Sequence, residues 1–137
     1  MENGQLGRVG AASYNAASLM TQADLLKQRT KDFALRVLKL ADALPRKPSS
    51  TAIAHQLARS GTSVAANYRA ACLARSRREF ISKLCIVTEE IDETQGWLDM
   101  VAELALVRPQ RLVGIRDEAR HLTAIFVAAR KTSRGVR

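Results

Sequence analysis

The sequence predicts an all-α protein that packs as an antiparallel up-and-down four-helix bundle. Three observations predict it. Ala and Leu abound, aromatics make up only 4%, and long β-branched runs are absent, a bias toward helix formers. Four stretches repeat apolar residues three and four positions apart, the period of a helix with one buried stripe. Prolines and one capping serine separate these stretches by short connections, which set consecutive helices antiparallel. The 137 residues show no break in composition, so one bundle domain is expected over 21–132, with a flexible N-terminal tail over 1–20 and a basic C-terminal tail over 133–137. A chain of this length buries roughly two-thirds of its unfolded surface, enough for a core without staples.

The first helix is expected from about Ala23 to Leu44, with Phe33, Val37, Leu40 and Leu44 on its stripe. Pro45 stops it and Pro48 keeps the connection extended. Ser49 or Ser50 is the expected cap of a second helix reaching about Leu73. Its stripe is Ile53, Leu57, Gly61, Val64, Tyr68 and Ala71. Its other faces are unusually small, with charge only at Arg59 and Arg69, so subunit contact is expected there. Ser76 to Glu79 reads as a capping box that opens a third helix to about Leu106. Phe80, Leu84, Val87, Ile91, Leu98, Val101 and Ala105 form its near-heptad stripe, with Thr94 at the polar step. Pro109 suits the first turn of a fourth helix, which carries Leu112, Ile115, Ala119, Leu122, Phe126 and Ala129.

Lys and Arg number 22 against 13 Asp and Glu, a formal charge of +9. Such an excess makes polyanions the expected partners, because each neutralised phosphate releases a counterion. Arg75, Arg77 and Arg78 surround the turn between the second and third helices, with Lys83 about a turn later. Arg116, Arg120, Lys131 and Arg134 are expected on one flank of the fourth helix, and Arg46 and Lys47 occupy the first loop. Arginine forks onto phosphate, yet aromatic stacking platforms are scarce, so the contact expected is to backbone rather than bases.

Glu89, Glu90, Asp92 and Glu93 crowd the third helix, where the expected partners are Arg59 and Arg69. Paired carboxylates carry acid–base chemistry when burial raises one pKa. No nucleophile–base pair accompanies these, so interface pairing is the favoured reading over catalysis. Glu118 and His121 form one Glu-x-x-His pair; a di-iron bundle needs two, and His55 has Ala52 three residues before it. No catalytic residue, metal or cofactor is therefore expected. Cys72 and Cys85 lie inside apparent helices and read as small buried hydrophobes of a reducing compartment. With no signal-peptide pattern and no apolar run of about 20 residues, the expectation is a cytoplasmic protein with no membrane contact.

The stretch Arg59-Ser60-Gly61-Thr62-Ser63-Val64-Ala65-Ala66-Asn67-Tyr68-Arg69, followed by Ala74-Arg75-Ser76-Arg77-Arg78-Glu79-Phe80, resembles a bacterial family. It is the four-helix bundle family also called the 23S rRNA intervening sequence protein family. Phe33 with Leu44-Pro45, and Glu90-x-Asp92-Glu93-Thr94-x-x-Trp97-Leu98, extend the match over about residues 30–106. Ala70 stands where the family commonly has Glu, so an ion pair at that step is not carried over. The resemblance implies a homopentamer, with Arg59, Gly61, Ser63, Asn67, Tyr68, Arg69, Glu89, Glu90, Asp92 and Glu93 as interface candidates. Some family members are encoded in insertions within ribosomal RNA genes. Related bundles are accessory factors of diversity-generating retroelements, binding reverse transcriptase and nucleic acid.

Three functions compete on this reading. The first is a non-catalytic oligomer that binds RNA or DNA backbone through Arg75, Arg77, Arg78, Lys83, Arg116, Arg120, Lys131 and Arg134. The second is a protein–protein scaffold or reverse-transcriptase accessory subunit that meets an acidic partner. The third is a carboxylate enzyme using Glu89, Glu90 or Glu93.

Overall fold

A computed structural model describes residues 20–135. Most of the two expected tails, residues 1–19 and 136–137, lies outside the described residues. Four helices follow in order: α1 (Gln22–Ala43), α2 (Pro48–Cys72), α3 (Arg77–Glu103) and α4 (Gln110–Ser133). Each buries the apolar stripe that its periodicity marks out. Phe33 and Val37 on α1, Leu57 and Val64 on α2, Leu84, Val87, Ile91, Leu98 and Val101 on α3, and Leu122 and Phe126 on α4 are fully buried. Burying side chains of this kind is worth about 1.5–3 kcal/mol each. Tyr68 of α2 and Phe126 of α4 meet across the bundle, ring centroids 5.1 Å apart and tilted by 50°.

The helices pack in ring order. α1 lies on α2, α2 on α3 and α3 on α4, while α4 returns to α1 through the loosest of the four seams. Neighbours run antiparallel. Asp99, late in α3, bonds Arg116, early in α4, whereas Cys85, early in α3, meets Arg134 at the end of α4. Arg29, early in α1, bonds Glu118 of α4, while Arg36, two turns later, lies over Gly114.

The helix ends carry several corrections. α1 opens on a complete capping box that the sequence reading missed. The Thr21 side chain accepts from the Asp24 amide at 3.0 Å, and the Asp24 carboxylate accepts from the Thr21 amide at 3.2 Å. α2 is capped by neither Ser49 nor Ser50: it starts at Pro48 behind Lys47, with no side-chain cap. Proline suits that first position, since its missing amide is one that would go unpaired and its φ is already helical. Ser50 lies buried inside the helix instead.

The Ser76 box is half formed. Ser76 accepts from the Glu79 amide at 3.0 Å, but the Glu79 carboxylate reaches past it to the Arg75 amide at 3.1 Å. α3 ends at Glu103, three residues short of Leu106. Ala105 is not a core residue: it is exposed with φ at 49°, the left-handed link of a Schellman turn. The Leu106 amide donates to the Val101 carbonyl and the Ala105 amide to that of Ala102. Phe80 and Ala129 sit at the rim of the core, partly buried against it.

Candidate functional site

One end of the bundle gathers the C-termini of α2 and α4 with the N-termini of α1 and α3. The α2–α3 connection is tight: the Leu73 amide donates to the Ala70 carbonyl and the Ala74 amide to that of Ala71. It brings Arg77 and Arg78 of α3 beside Ser133 and Arg134 of α4, where with Ile81 they line one shared cleft. Arg134 donates to Cys85 Sγ at 3.6 Å, and Arg130 lies one turn back at 3.9 Å from the same sulfur. These contacts hold two α4 guanidinium groups against α3. Arg130 is a residue the sequence reading left out. Its signal was available, since Arg130 and Arg134 are four apart and share one helix face.

Among the described residues, the acids at this end, Asp24 and Glu79, are already engaged. Glu79 accepts from the Arg75 amide, and Asp24 serves the Thr21 cap with Lys27 beyond it at 3.9 Å. The cap holds the Asp24 carboxyl below its ordinary range, so it stays ionised. Arg75, Arg77, Arg78, Lys83, Arg130, Lys131 and Arg134 have no carboxylate within 4.0 Å among the described residues. Arg75, Arg77, Arg78, Lys131 and Arg134 are exposed, and Lys83 is half-buried. Like charges crowd here with nothing internal to relieve them, which favours an external anion.

Two of the expected phosphate contacts stand elsewhere. Arg116 pairs with Asp99 and Arg120 with Asp117, nearer the opposite end of α4. Helix periodicity put them on one flank with Lys131 and Arg134, interrupted by Thr123 and Val127, but it could not show which acids face that flank.

The residues assigned to subunit contact separate into groups. Gly61 and Tyr68 are buried within the bundle. Arg59 ties α2 to α3, donating to Glu90 at 3.3 Å and to Glu93, with its Nε on Gln56 at 3.0 Å. Trp97 adds a 3.4 Å hydrogen bond to Glu93. The Arg59 hydrogen bond holds the Glu93 carboxyl below its ordinary range. Burial first, and then the neighbouring Glu93, pushes that of Glu90 up. Asn67 donates to the Ser63 carbonyl and hydroxyl, each at 2.9 Å. Arg69, Glu89 and Asp92 stay exposed, and Arg69, expected to pair with these acids, has no carboxylate within 4.0 Å among the described residues. Glu118 pairs with Arg29 rather than facing His121, which is exposed. Among the described residues no three His, Cys, Asp or Glu side chains are grouped to hold a metal ion. Among them no helix is long and apolar enough to cross a membrane.

The family model described as 23S rRNA-intervening sequence protein matches residues 24–128, a span that takes in residues of all four helices. The chain belongs to this family. A crystal structure of a protein of unknown function from the S23 ribosomal protein family of Bacteroides thetaiotaomicron is similar in fold, with a TM-score of 0.75 at 28% identity. The likeness covers 81% of this chain and 99% of that one. No curated protein matches the chain. Within the intervening sequence protein family, the Arg77-Arg78 turn and the Arg59 network of this chain lie inside the matched span, whereas Lys131 and Arg134 lie beyond it.

Proposed function

We propose that this intervening sequence protein is a non-catalytic oligomer that binds the phosphodiester backbone of RNA or DNA. One observation carries the reading: a crowded basic end where, among the described residues, the local carboxylates Asp24 and Glu79 are both used at helix caps. Arg75, Arg77, Arg78, Lys131 and Arg134 supply exposed charge there, and the net charge of +9 draws polyanions toward it. Lys83 widens that contact along α3, while Arg116 and Arg120, ion-paired nearer the other end of α4, reach only a ligand that continues along that helix, through donors left over from their ion pairs. Binding is to backbone and shape: among the described residues Tyr68 is buried, Trp97 is half-buried, and Phe80 beside Arg77 is packed partly against the core. The family resemblance supports a homopentamer joined through the exposed remainder of α2 and α3, including Arg69, Glu89 and Asp92. It also supports a reverse transcriptase as a protein partner.

Filter-binding titration against structured RNA and duplex DNA at several salt concentrations tests the proposal. Neutralising about six phosphates costs about 10³-fold in affinity between about 50 and about 200 mM salt. Affinity absent at low salt, or flat across the series, overturns it. Capture of an acidic protein partner that survives nuclease treatment, with no affinity for nucleic acid, establishes the scaffold reading instead.

A further inference from the structure

The seam between α1 and α4 is the loosest of the bundle, and it opens into a groove of about 160 Å³. Buried Leu40 and Ile115 form its apolar floor, and Arg36, Lys39 and Arg111 rise from the two helices around it. Arg36 is folded inward across α4: a Cβ at Gly114 would stand 2.8 Å from its Nη2. The missing side chain of Gly114 is what lets the guanidinium lie there. None of the three cations has a carboxylate within 4.0 Å among the described residues. Arg46, Lys47 and Arg108, in the loops at this end, have none either. Asp32, one turn before Arg36, accepts from Gln28 at 2.9 Å, and Asp32, Asp42 and Glu103 are all exposed and outside any ion pair among the described residues.

We infer that this groove is a second phosphate-binding site, placed at the other end of the bundle from the first and taking a phosphodiester of the same class of nucleic acid. The inference rests on the function proposed above and extends it. Three cations converging on a concave, low-dielectric floor focus positive potential, and two guanidinium forks present donors that match a phosphate in geometry. Helices of this length separate the two sites by roughly 35 Å. One subunit therefore holds two stretches of backbone at once, which suits a protein that fixes the shape of a folded RNA better than one that reads its sequence.

Fluorescence anisotropy of the full chain with a labelled RNA hairpin, over a salt series, separates the two sites. Arg36→Gln with Arg111→Gln is expected to weaken binding several-fold and to lower the slope of log K against log salt by about 1.4–1.8, two phosphates' worth. Arg77→Gln with Arg78→Gln is expected to do the same from the other end. The two effects multiply when combined, because the sites share no partner. Unchanged affinity and slope in the Arg36/Arg111 variant, with the Arg77/Arg78 variant weakened, overturns the groove and leaves the proposed function standing. The reverse pattern supports the groove and removes the first site. A groove that binds inorganic phosphate or polyglutamate while RNA affinity is indifferent to Arg36 and Arg111 also overturns the inference. Gly114→Ala provides a variant that keeps the fold if the double substitution does not. Its thermal midpoint is expected no lower than that of the parent, and its RNA affinity reduced, since the new methyl turns Arg36 out of the groove. Unchanged affinity in that variant would count against the site.

Discussion

Gly61 of α2 lies against Val37 of α1 so closely that a methyl group at Gly61 would stand 2.7 Å from Val37 Cγ1 and 2.9 Å from its Cβ. Val37 is fully buried and has nowhere to move. The small residues of α2 are thus explained in part inside the chain. Gly61 admits α1, and Ser60 faces α3 through Thr94.

Gly61→Ala is expected to destabilise the bundle by about 1–3 kcal/mol, the overpacking cost outweighing alanine's better helix propensity of about 1 kcal/mol. Gly96, in the middle of α3, is the control: a Cβ there meets nothing within 4 Å. Gly96→Ala is expected to stabilise by up to about 1 kcal/mol. Urea denaturation of both variants gives the two signs directly.

Ala105 holds the Schellman turn after α3 with φ at 49°, a region where its Cβ crowds the following carbonyl. Ala105→Gly removes that strain at some entropic cost. A net gain of about 0.5–1 kcal/mol is expected, read as a raised thermal midpoint. A lowered midpoint would refute the strain.

Thr94 and Ser60 form the buried polar contact between α2 and α3. Thr94 Oγ1 lies 2.8 Å from Ser60 Oγ and 2.8 Å from the Glu90 carbonyl, so two hydroxyl protons serve the set. Thr94→Val strands the Ser60 hydroxyl in a dry site and is expected to cost about 1–3 kcal/mol. Pairing it with Ser60→Ala is expected to recover part of that loss, which a double-mutant cycle measures.

Glu90 and Glu93 share Arg59 yet titrate in opposite directions. Glu93 is held below its ordinary range by Arg59, so its contribution to stability is present above the unfolded pKa and fades as pH falls through the folded one. Glu90 is pushed up by burial, so its ionised form opposes folding and acidification relieves it. From neutrality down through the carboxylate range, the stability advantage of wild type over Glu93→Gln is expected to shrink. The difference between wild type and Glu90→Gln is expected to shift in wild type's favour. Parallel pH dependence of the two variants would refute the assignment.

The four helices and their buried stripes were legible because helix period is local: Phe33 with Val37, or Leu122 with Phe126, declares a face without reference to any other helix. Pro45, Pro48 and Pro109 declared the breaks for the same reason. The candidate site was legible in part. Arg75, Arg77 and Arg78 cluster in sequence, so their crowding needs no tertiary information, and turn geometry alone exposes them.

Tertiary structure decided the rest. Whether an arginine is available depends on which acid the neighbouring helix brings to it. Arg116 met Asp99 across the α3–α4 seam, while Arg36 and Arg111, 75 positions apart in the chain, were left lining one groove with no carboxylate within 4.0 Å among the described residues. Periodicity tells which residues a helix hides. Charge pairing between helices is a long-range property set by register, and only the packed bundle fixes which positive groups remain for an outside partner.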